Sequence, residues 1–301
     1  MIFPKALVPG DKIAIVSPAS RINPEYIDGA AKVLSAAGFA VETGIHATGV
    51  SGSYSGTLEE RLSDLRKAFD DDSVKAILCG RGGYGAVHLL EYFEPEYLRS
   101  HAKWIMGFSD ISALHSIMVS SGICSIHCQM CKHFTNFGTD DESSQSILNI
   151  LQGGLPEYRI DPHPYNRTGK AEGQLFGGNM AVLNGLLSTR YNCIRPGQIL
   201  FVEDIGEAVY RVERMLYELR LNGVLPNLKG LVVGRFTEYR RNEKDNEDMY
   251  DMIHRLTAEF DYPVAFNFPV GHEDRNLALI EGADAELEVT TGGARLKFIN
   301  R

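Results

Sequence analysis

The sequence predicts an α/β protein of two domains, the first built on a mainly parallel sheet and the second mixed and β-rich. Three observations carry this. A length of 301 residues suits two modest domains at roughly 150 residues each. Short apolar runs alternate with helical periodicity through the first half, the pattern of right-handed βαβ units. From Gln152 to Gly173 the text then changes, with three prolines and neither helical nor alternating periodicity, which reads as a linker. The boundaries expected are residues 1–152, a linker at 153–173, and a second domain at 174–301.

The elements follow in order. Lys12–Val16 (KIAIV) reads as a buried strand, followed by a turn at Ser17–Ser20 and an amphipathic stretch from about Asn23 to Ala37. Phe39–Thr43 reads as the second strand. Leu58, Leu62, Leu65 and Phe69 recur at spacings of three and four, so Leu58–Phe69 is predicted as a helix. Ala76–Cys79, Trp104–Met106 and Cys124–Ile126 are further strand candidates, with helical segments near Gly85–Tyr92 and Ile111–Ser121 between them. In the second half Ile199–Glu203 and Gly230–Phe236 read as strands around a helix at Tyr210–Asn222, and another helix is expected over about Asn246–Phe260. Alternating apolar residues at Ala285–Val289 and Arg295–Ile299 close the chain as strands.

Composition narrows the function. Apolar residues make up 44% and charged residues 23%, which argues against a disordered or fibrous chain. Thirty basic against thirty-nine acidic residues leave a net charge of −9, unsuited to holding nucleic acid or an anionic membrane through the overall field. Pro4, Lys5 and Pro9 stand where a signal peptide needs an apolar stretch, and no run approaches the ~18 residues of a spanning helix. Five cysteines, an odd number, fit a reducing compartment. A cytoplasmic protein is expected.

Several segments offer chemistry. Trp104–Leu114 (WIMGFSDISAL) places Ser109 between an apolar strand and a helix. A serine on such a turn is held out of the sheet, with the amide of Asp110 at the helix N-terminus available to an oxyanion. The bland alternative is that Ser109 or Asp110 caps the helix. Gly80–Gly85 (GRGGYG) formally matches a dinucleotide-binding loop, but it follows the third strand, and no acidic residue closes the next one. A tight turn, or a loop whose bare amides approach a reacting oxygen, remain as readings. Cys124–Cys131 (CSIHCQMC) has the spacing of an iron–sulfur motif and, with His127 and His133, that of a zinc site. Strand alternation there sends successive side chains to opposite faces, so no metal is expected. Glu203 ends an apolar strand, and Gly271 lets the chain turn to leave His272 at a loop tip. The order Ser109, Glu203, His272 is that of a nucleophile, an orienting carboxylate and a general base.

These segments resemble the LD-carboxypeptidase family of serine peptidases, which includes the microcin C immunity proteins. The resemblance runs through Leu7–Pro18, Ser55–Leu65 (SGTLEERLSDL), Arg81–Gly85, Gly107–Asp110 (GFSD), Gly177–Asn179 (GGN), Glu203–Glu207 (EDIGE) and Gly271–His272. It implies a Rossmann-like first domain and a β-rich second one. By the same resemblance Ser109 is the nucleophile, His272 the base and Glu203 its carboxylate, with the set assembled at a domain interface. The oxyanion hole would use the amide of Asp110 and that of Gly82 or Gly83. One departure is His127-Cys128-Gln129, where the family has His-Gly-Pro.

The activity this implies is hydrolysis of the amide to the terminal D-alanine of murein tetrapeptides by a homodimer needing no cofactor. Arg81, beside the glycine loop, is the candidate cation for the substrate carboxylate, and Asn179 a second substrate-binding candidate. A microcin-immunity hydrolase of peptidyl-nucleotide carboxamides is the alternative within the family. A catalytically silent binder of wall peptides is the alternative outside it, and the intact Ser109, Glu203 and His272 argue against that.

Overall fold

The computed structural model describes residues 1–239 and 247–299. The chain divides into two compact units, 1–154 with 274–282 and 155–273 with 283–301.

The first unit carries a six-stranded sheet. Counted in chain order its first five strands lie 5-4-3-1-2: Lys12–Val16, Ala40–Thr43, Val74–Cys79, Trp104–Gly107 and Ser125–His127. All four pairings among them are parallel, as βαβ crossovers require. This is a doubly wound sheet, the Rossmann-like class predicted, and in such sheets ligands sit at the carboxyl ends of the strands where the winding reverses. The reversal falls between the first and third strands, so the loops at Ser17–Ser20 and Gly80–Gly85 flank it.

Local signals explain the helices. Asn23 caps Pro24–Ala36 by accepting from Glu25 N, and Pro occupies the first turn, where its missing N–H is not needed. Thr57 and Glu60 form a reciprocal capping box at the start of Leu58–Asp70, worth about 1 kcal/mol relative to Ala at the cap. Within that helix Arg61 and Asp64 are buried together with Leu65, Ala68 and Phe69, so it turns two charged residues inward. Near Gly85 the predicted helix is a 3₁₀ segment, Ala86–Tyr92.

The second unit holds a seven-stranded mixed sheet. Gly169–Asn179, Ile199–Ile205, Gly230–Thr237 and Val264–Ala265 pair in parallel. Gly169–Asn179 also pairs antiparallel with Asp284–Thr290, followed across the sheet by Gly293–Phe298 and Glu157–Ile160. Helices Val209–Leu221 and Met249–Thr257 belong to this unit. The latter was expected from Asn246, a residue outside those described, as are Asn300 and Arg301 at the end of the expected second domain.

Two boundaries differ from the sequence reading. The expected linker 153–173 contains the strand Glu157–Ile160 and the start of Gly169–Asn179. Glu157–Ile160 has one neighbour and buries Tyr158 alone, so its apolar alternation is too weak to read. Asp274–Gly282, assigned to the second domain, returns to the first unit. There Leu279–Glu281 pairs antiparallel with Ser125–His127 as the sixth strand. That partner is some 150 residues away, beyond any periodicity.

At Gly177 a Cβ would clash with the carbonyl oxygen of Phe201 and lie 2.7 Å from its carbonyl carbon. The close pairing there carries Asn179 opposite Glu203. Gly177→Ala is therefore expected to destabilise by about 1–3 kcal/mol through backbone displacement. Thermal unfolding with an unchanged Tm would contradict this packing account.

Candidate active site

The strand Trp104–Gly107 is wholly buried, and Trp104 anchors it by donating Nε1–H to Lys5 O at 3.1 Å. Phe108 is extended, and Ser109 then takes φ = 64°. A non-glycine residue in the left-handed region costs on the order of 1–3 kcal/mol and persists where surrounding structure enforces it. A serine so placed at the turn between strand and helix has the backbone form that nucleophile elbows share. Ser109–Ile111 forms one 3₁₀ turn, leading directly into helix Ser112–Ser120.

The capping alternative for this segment does not describe Asp110. Its Oδ2 accepts from Ala86 N at 2.8 Å, tying the elbow to the end of the glycine loop. Burial raises the Asp110 carboxyl above its ordinary value, against the Ala86 hydrogen bond and the charges of His88 and Arg61. Arg61 holds the same loop from behind, donating to Pro18 O at 2.8 Å and Gly85 O at 2.9 Å. Its guanidinium carbon lies 4.9 Å from the centre of the Tyr54 ring. The sequence reading did not single out Arg61; a charged residue on the apolar side of the helix at 58–70 was the signal available.

The two loop glycines have different neighbours. A Cβ at Gly82 would lie 2.9 Å from Ser109 Cβ, 3.1 Å from its Oγ and 3.2 Å from the Asp110 amide nitrogen. At Gly83, where φ is +99°, it would strike the Ser20 side chain. Gly82 is thus the residue packed against the serine. Ser20 secures this arrangement, its N–H donating to Gly82 O at 3.2 Å and its Oγ accepting from Tyr84 N at 3.0 Å. Arg81 is exposed and donates to Arg21 O at 3.2 Å.

In the second unit, Glu203 is fully buried in the strand Ile199–Ile205. Pairing of this strand with Gly230–Thr237 shifts register between Val202 and Asp204, an irregularity that re-aims a side chain. Glu203 Oε2 lies 2.7 Å from His272 Nδ1. Gly271 permits this approach: its φ is +130°, and a Cβ there would lie 3.0 Å from Arg235 O and 3.1 Å from Glu203 Cβ. Burial works against a charged His272, but the Glu203 hydrogen bond and charge, with Asp204 and Glu238, hold its pKa above the ordinary 6.5. An ionised carboxylate on Nδ1 sets the tautomer and makes Nε2 the proton-exchanging nitrogen.

Asn179 lies beside this pair without being directed at a ligand. Its Oδ1 accepts from Val182 N at 3.1 Å, and its Nδ2 donates to Asp204 Oδ1 at 2.9 Å. The side chain caps helix Met180–Asn184. Gly82, Gly83, Ser109 and Asp110 fall in the first unit; Asn179, Glu203 and His272 fall in the second.

The cysteine motif does not gather a metal set. Cys124, Cys128 and Cys131 are buried and form no disulfide, and burial raises Cys128 and Cys131. His133 bonds Asp141 Oδ2 at 2.9 Å, and Gln129, at the family departure, donates to Asp274 O at 3.1 Å. Among the described residues the converging group of metal-binding side chains is His115, His127 and Glu281.

An elbow serine beside a glycine loop, with a buried carboxylate–imidazole pair elsewhere in the chain, is the equipment of a hydrolase. Residues 13–128 match the LD-carboxypeptidase N-terminal domain and residues 172–287 the LD-carboxypeptidase C-terminal domain. The chain belongs to the LD-carboxypeptidase family and is a carboxypeptidase by class. It is 32% identical over 291 residues to a probable murein peptide carboxypeptidase of Bacillus subtilis, covering 94% of this chain and 91% of the relative. It is 30% identical over 303 residues to the murein tetrapeptide carboxypeptidase of Pseudomonas aeruginosa, covering 95% of each. The crystal structure of muramoyltetrapeptide carboxypeptidase from Oxalobacter formigenes superimposes with a TM-score of 0.88 at 27% identity, covering 96% of this chain and 99% of that one. The microcin C7 self-immunity protein MccF shares the fold, with a TM-score of 0.87 at 20% identity, covering 100% of this chain and 99% of that one.

The raised His272 pKa has a definite sign. The protonated ring contributes stability that is fully present below pH 6.5 and lost as pH rises through the folded value. A ring-carbon NMR titration should place the His272 midpoint above 6.5. Glu203→Gln should lower it, since the Glu203 charge is removed while burial remains and only Asp204 and Glu238 still oppose it. A midpoint unmoved by that substitution would contradict the pairing.

Proposed function

We propose that this chain is a serine-type LD-carboxypeptidase that releases the terminal D-alanine of murein tetrapeptides. The buried bond between His272 Nδ1 and Glu203 Oε2 supports it most strongly, because a histidine oriented by a carboxylate is what a weak hydroxyl nucleophile requires. In this reading Ser109 Oγ attacks the amide carbonyl as His272 Nε2 takes its proton, and Glu203 stabilises the imidazolium. The tetrahedral oxyanion is held by the amide of Asp110 and that of Gly82 or Gly83, each donor worth ~10²–10³ in rate. His272 returns the proton to the departing D-alanine amine, and water then releases the acyl group by the same route. Arg81 is proposed to receive the substrate carboxylate.

Relatives named murein peptide or murein tetrapeptide carboxypeptidase support the substrate choice. Solved structures titled as MccF with aspartyl sulfamoyl adenosine or glutamyl sulfamoyl guanosine motivate the second reading, a peptidyl-nucleotide substrate. Aromatic stacking supplies ~1–3 kcal/mol per base in nucleotide recognition. The single tryptophan here, Trp104, is buried with its N–H bonded to Lys5 O, which favours the peptide. The same proposal makes the enzyme a cytoplasmic homodimer; light scattering at the mass of one chain would count against the dimer.

Ser109→Ala is expected to abolish turnover while leaving Tm within a few degrees of the parent. Glu203→Gln should lose less, since an amide still holds the ring without stabilising its charge. Unaltered hydrolysis by the Ser109 variant would sink the mechanism. For the substrate, the protein is incubated in parallel with a murein tetrapeptide, its D-alanine amide and a peptidyl-aspartyl adenylate analogue, and products are read by mass spectrometry. D-Alanine release should dominate, and the masked carboxylate of the amide should slow cleavage. Efficient nucleotide release beside an untouched tetrapeptide would reverse the substrate choice and leave the triad proposal standing.

A further inference from the structure

The return of Asp274–Gly282 to the first unit creates a side-chain cluster unrelated to the hydrolytic residues. In the pairing of Leu279–Glu281 with Ser125–His127, Leu279 faces His127 and Glu281 faces Ser125. Side chains alternate along a strand, so Ser125, His127 and Glu281 share one face of the sheet. Helix Ser112–Ser120 covers that face, and its His115 places Nδ1 2.9 Å from Ser125 Oγ. One donor atom each from His115, His127 and Glu281 lies within 4.8 Å of the others, and all three residues are fully buried.

We infer that His115, His127 and Glu281 form a binding site for one divalent first-row transition ion, with zinc as the probe. The donor set suits such an ion: two imidazoles and a carboxylate are ligands zinc accepts at about 2.0–2.2 Å. In tetrahedral geometry two donors on one ion stand about 3.3–3.5 Å apart, so side-chain adjustments of about 1 Å would close a site whose donor atoms lie within 4.8 Å of one another. The supporting bond is already made. His115 Nε2 lies 2.9 Å from Gly107 O, and a carbonyl only accepts, so Nε2 carries the hydrogen and Nδ1 the lone pair. An outer ring N–H donated to a backbone carbonyl is the usual means of fixing a ligating histidine. The Ser125 hydroxyl now donates to that lone pair and would yield it to the ion.

The ion's role would be structural. Glu281 lies on the returning strand, His127 on the strand beside it, and His115 on the helix that follows the elbow. Gly107, which receives the His115 N–H, stands two residues before Ser109. A bound dication would pin the sixth strand to the elbow and place a positive charge beside the buried Glu281 carboxylate. The sequence reading expected no metal because it weighed the cysteine run; these three residues are separated by up to 166 positions and share no motif.

The test uses the full-length protein expressed in zinc-supplemented medium, so that a buried site loads during folding. After desalting against a weak chelator, bound zinc is measured by elemental analysis, and Tm is compared with protein refolded without metal. One equivalent of zinc and a Tm higher by about 4 °C or more are expected. Glu281→Gln and His127→Asn should each retain at least about tenfold less zinc, while Cys131→Ser should match the parent. A parent protein that binds no zinc, with Tm indifferent to metal, overturns the proposal whether or not the variants fold. Full retention by Glu281→Gln, or loss in Cys131→Ser alone, overturns the assignment of ligands.

Discussion

The second unit is organised around a carboxylate that would not be buried without a cationic or donor partner. Removing Glu203 from water costs several kcal/mol, and His272 Nδ1 at 2.7 Å provides the offset. Each local feature nearby serves that contact. The register shift between Val202 and Asp204 aims Glu203, and Gly271 lets the loop close on it without a side chain. Asp204, pushed up to about 6 by burial and by the Glu203 charge, is partly relieved by the Ile205 and Ala181 amides and by Asn179. Asn179 therefore belongs to the support of the pair.

The first unit meets a related problem with backbone. Ser109 adopts a conformation that a free chain avoids, and what enforces it is distributed. The buried strand before it, the Asp110 carboxylate on Ala86 N and the glycine loop against its side chain each remove a route of relaxation. Arg61 joins the Pro18 turn to the Gly85 end of that loop through two carbonyls. Its charge stays inside because both acceptors and the Tyr54 ring replace water.

Motif and mechanism were readable at different depths. The elbow was legible in WIMGFSD because an apolar strand running into a polar turn leaves a local imprint. His272 and Glu203 were legible only as separate hints: a glycine before a loop histidine and an acid closing an apolar strand. Gly82 could not be separated from Gly83 by sequence, since both satisfy the turn; the contact with Ser109 distinguishes them. The cysteine run shows the reverse case: its spacing matched a motif, yet the converging group of metal-binding side chains among the described residues is His115, His127 and Glu281.

Sequence alone sufficed for the alternation of elements, the parallel sheet and the mixed β-rich second half, and it singled out Ser109, Glu203 and His272 as candidates. Those follow from local periodicity and short motifs, which survive in any fragment of chain about ten residues long. Tertiary structure alone decided that Leu279–Glu281 joins the first sheet, that Arg61 turns inward, and that His115, His127 and Glu281 converge. Each depends on partners far apart in sequence, and such pairings are selected by the packing of the folded chain rather than by any local preference.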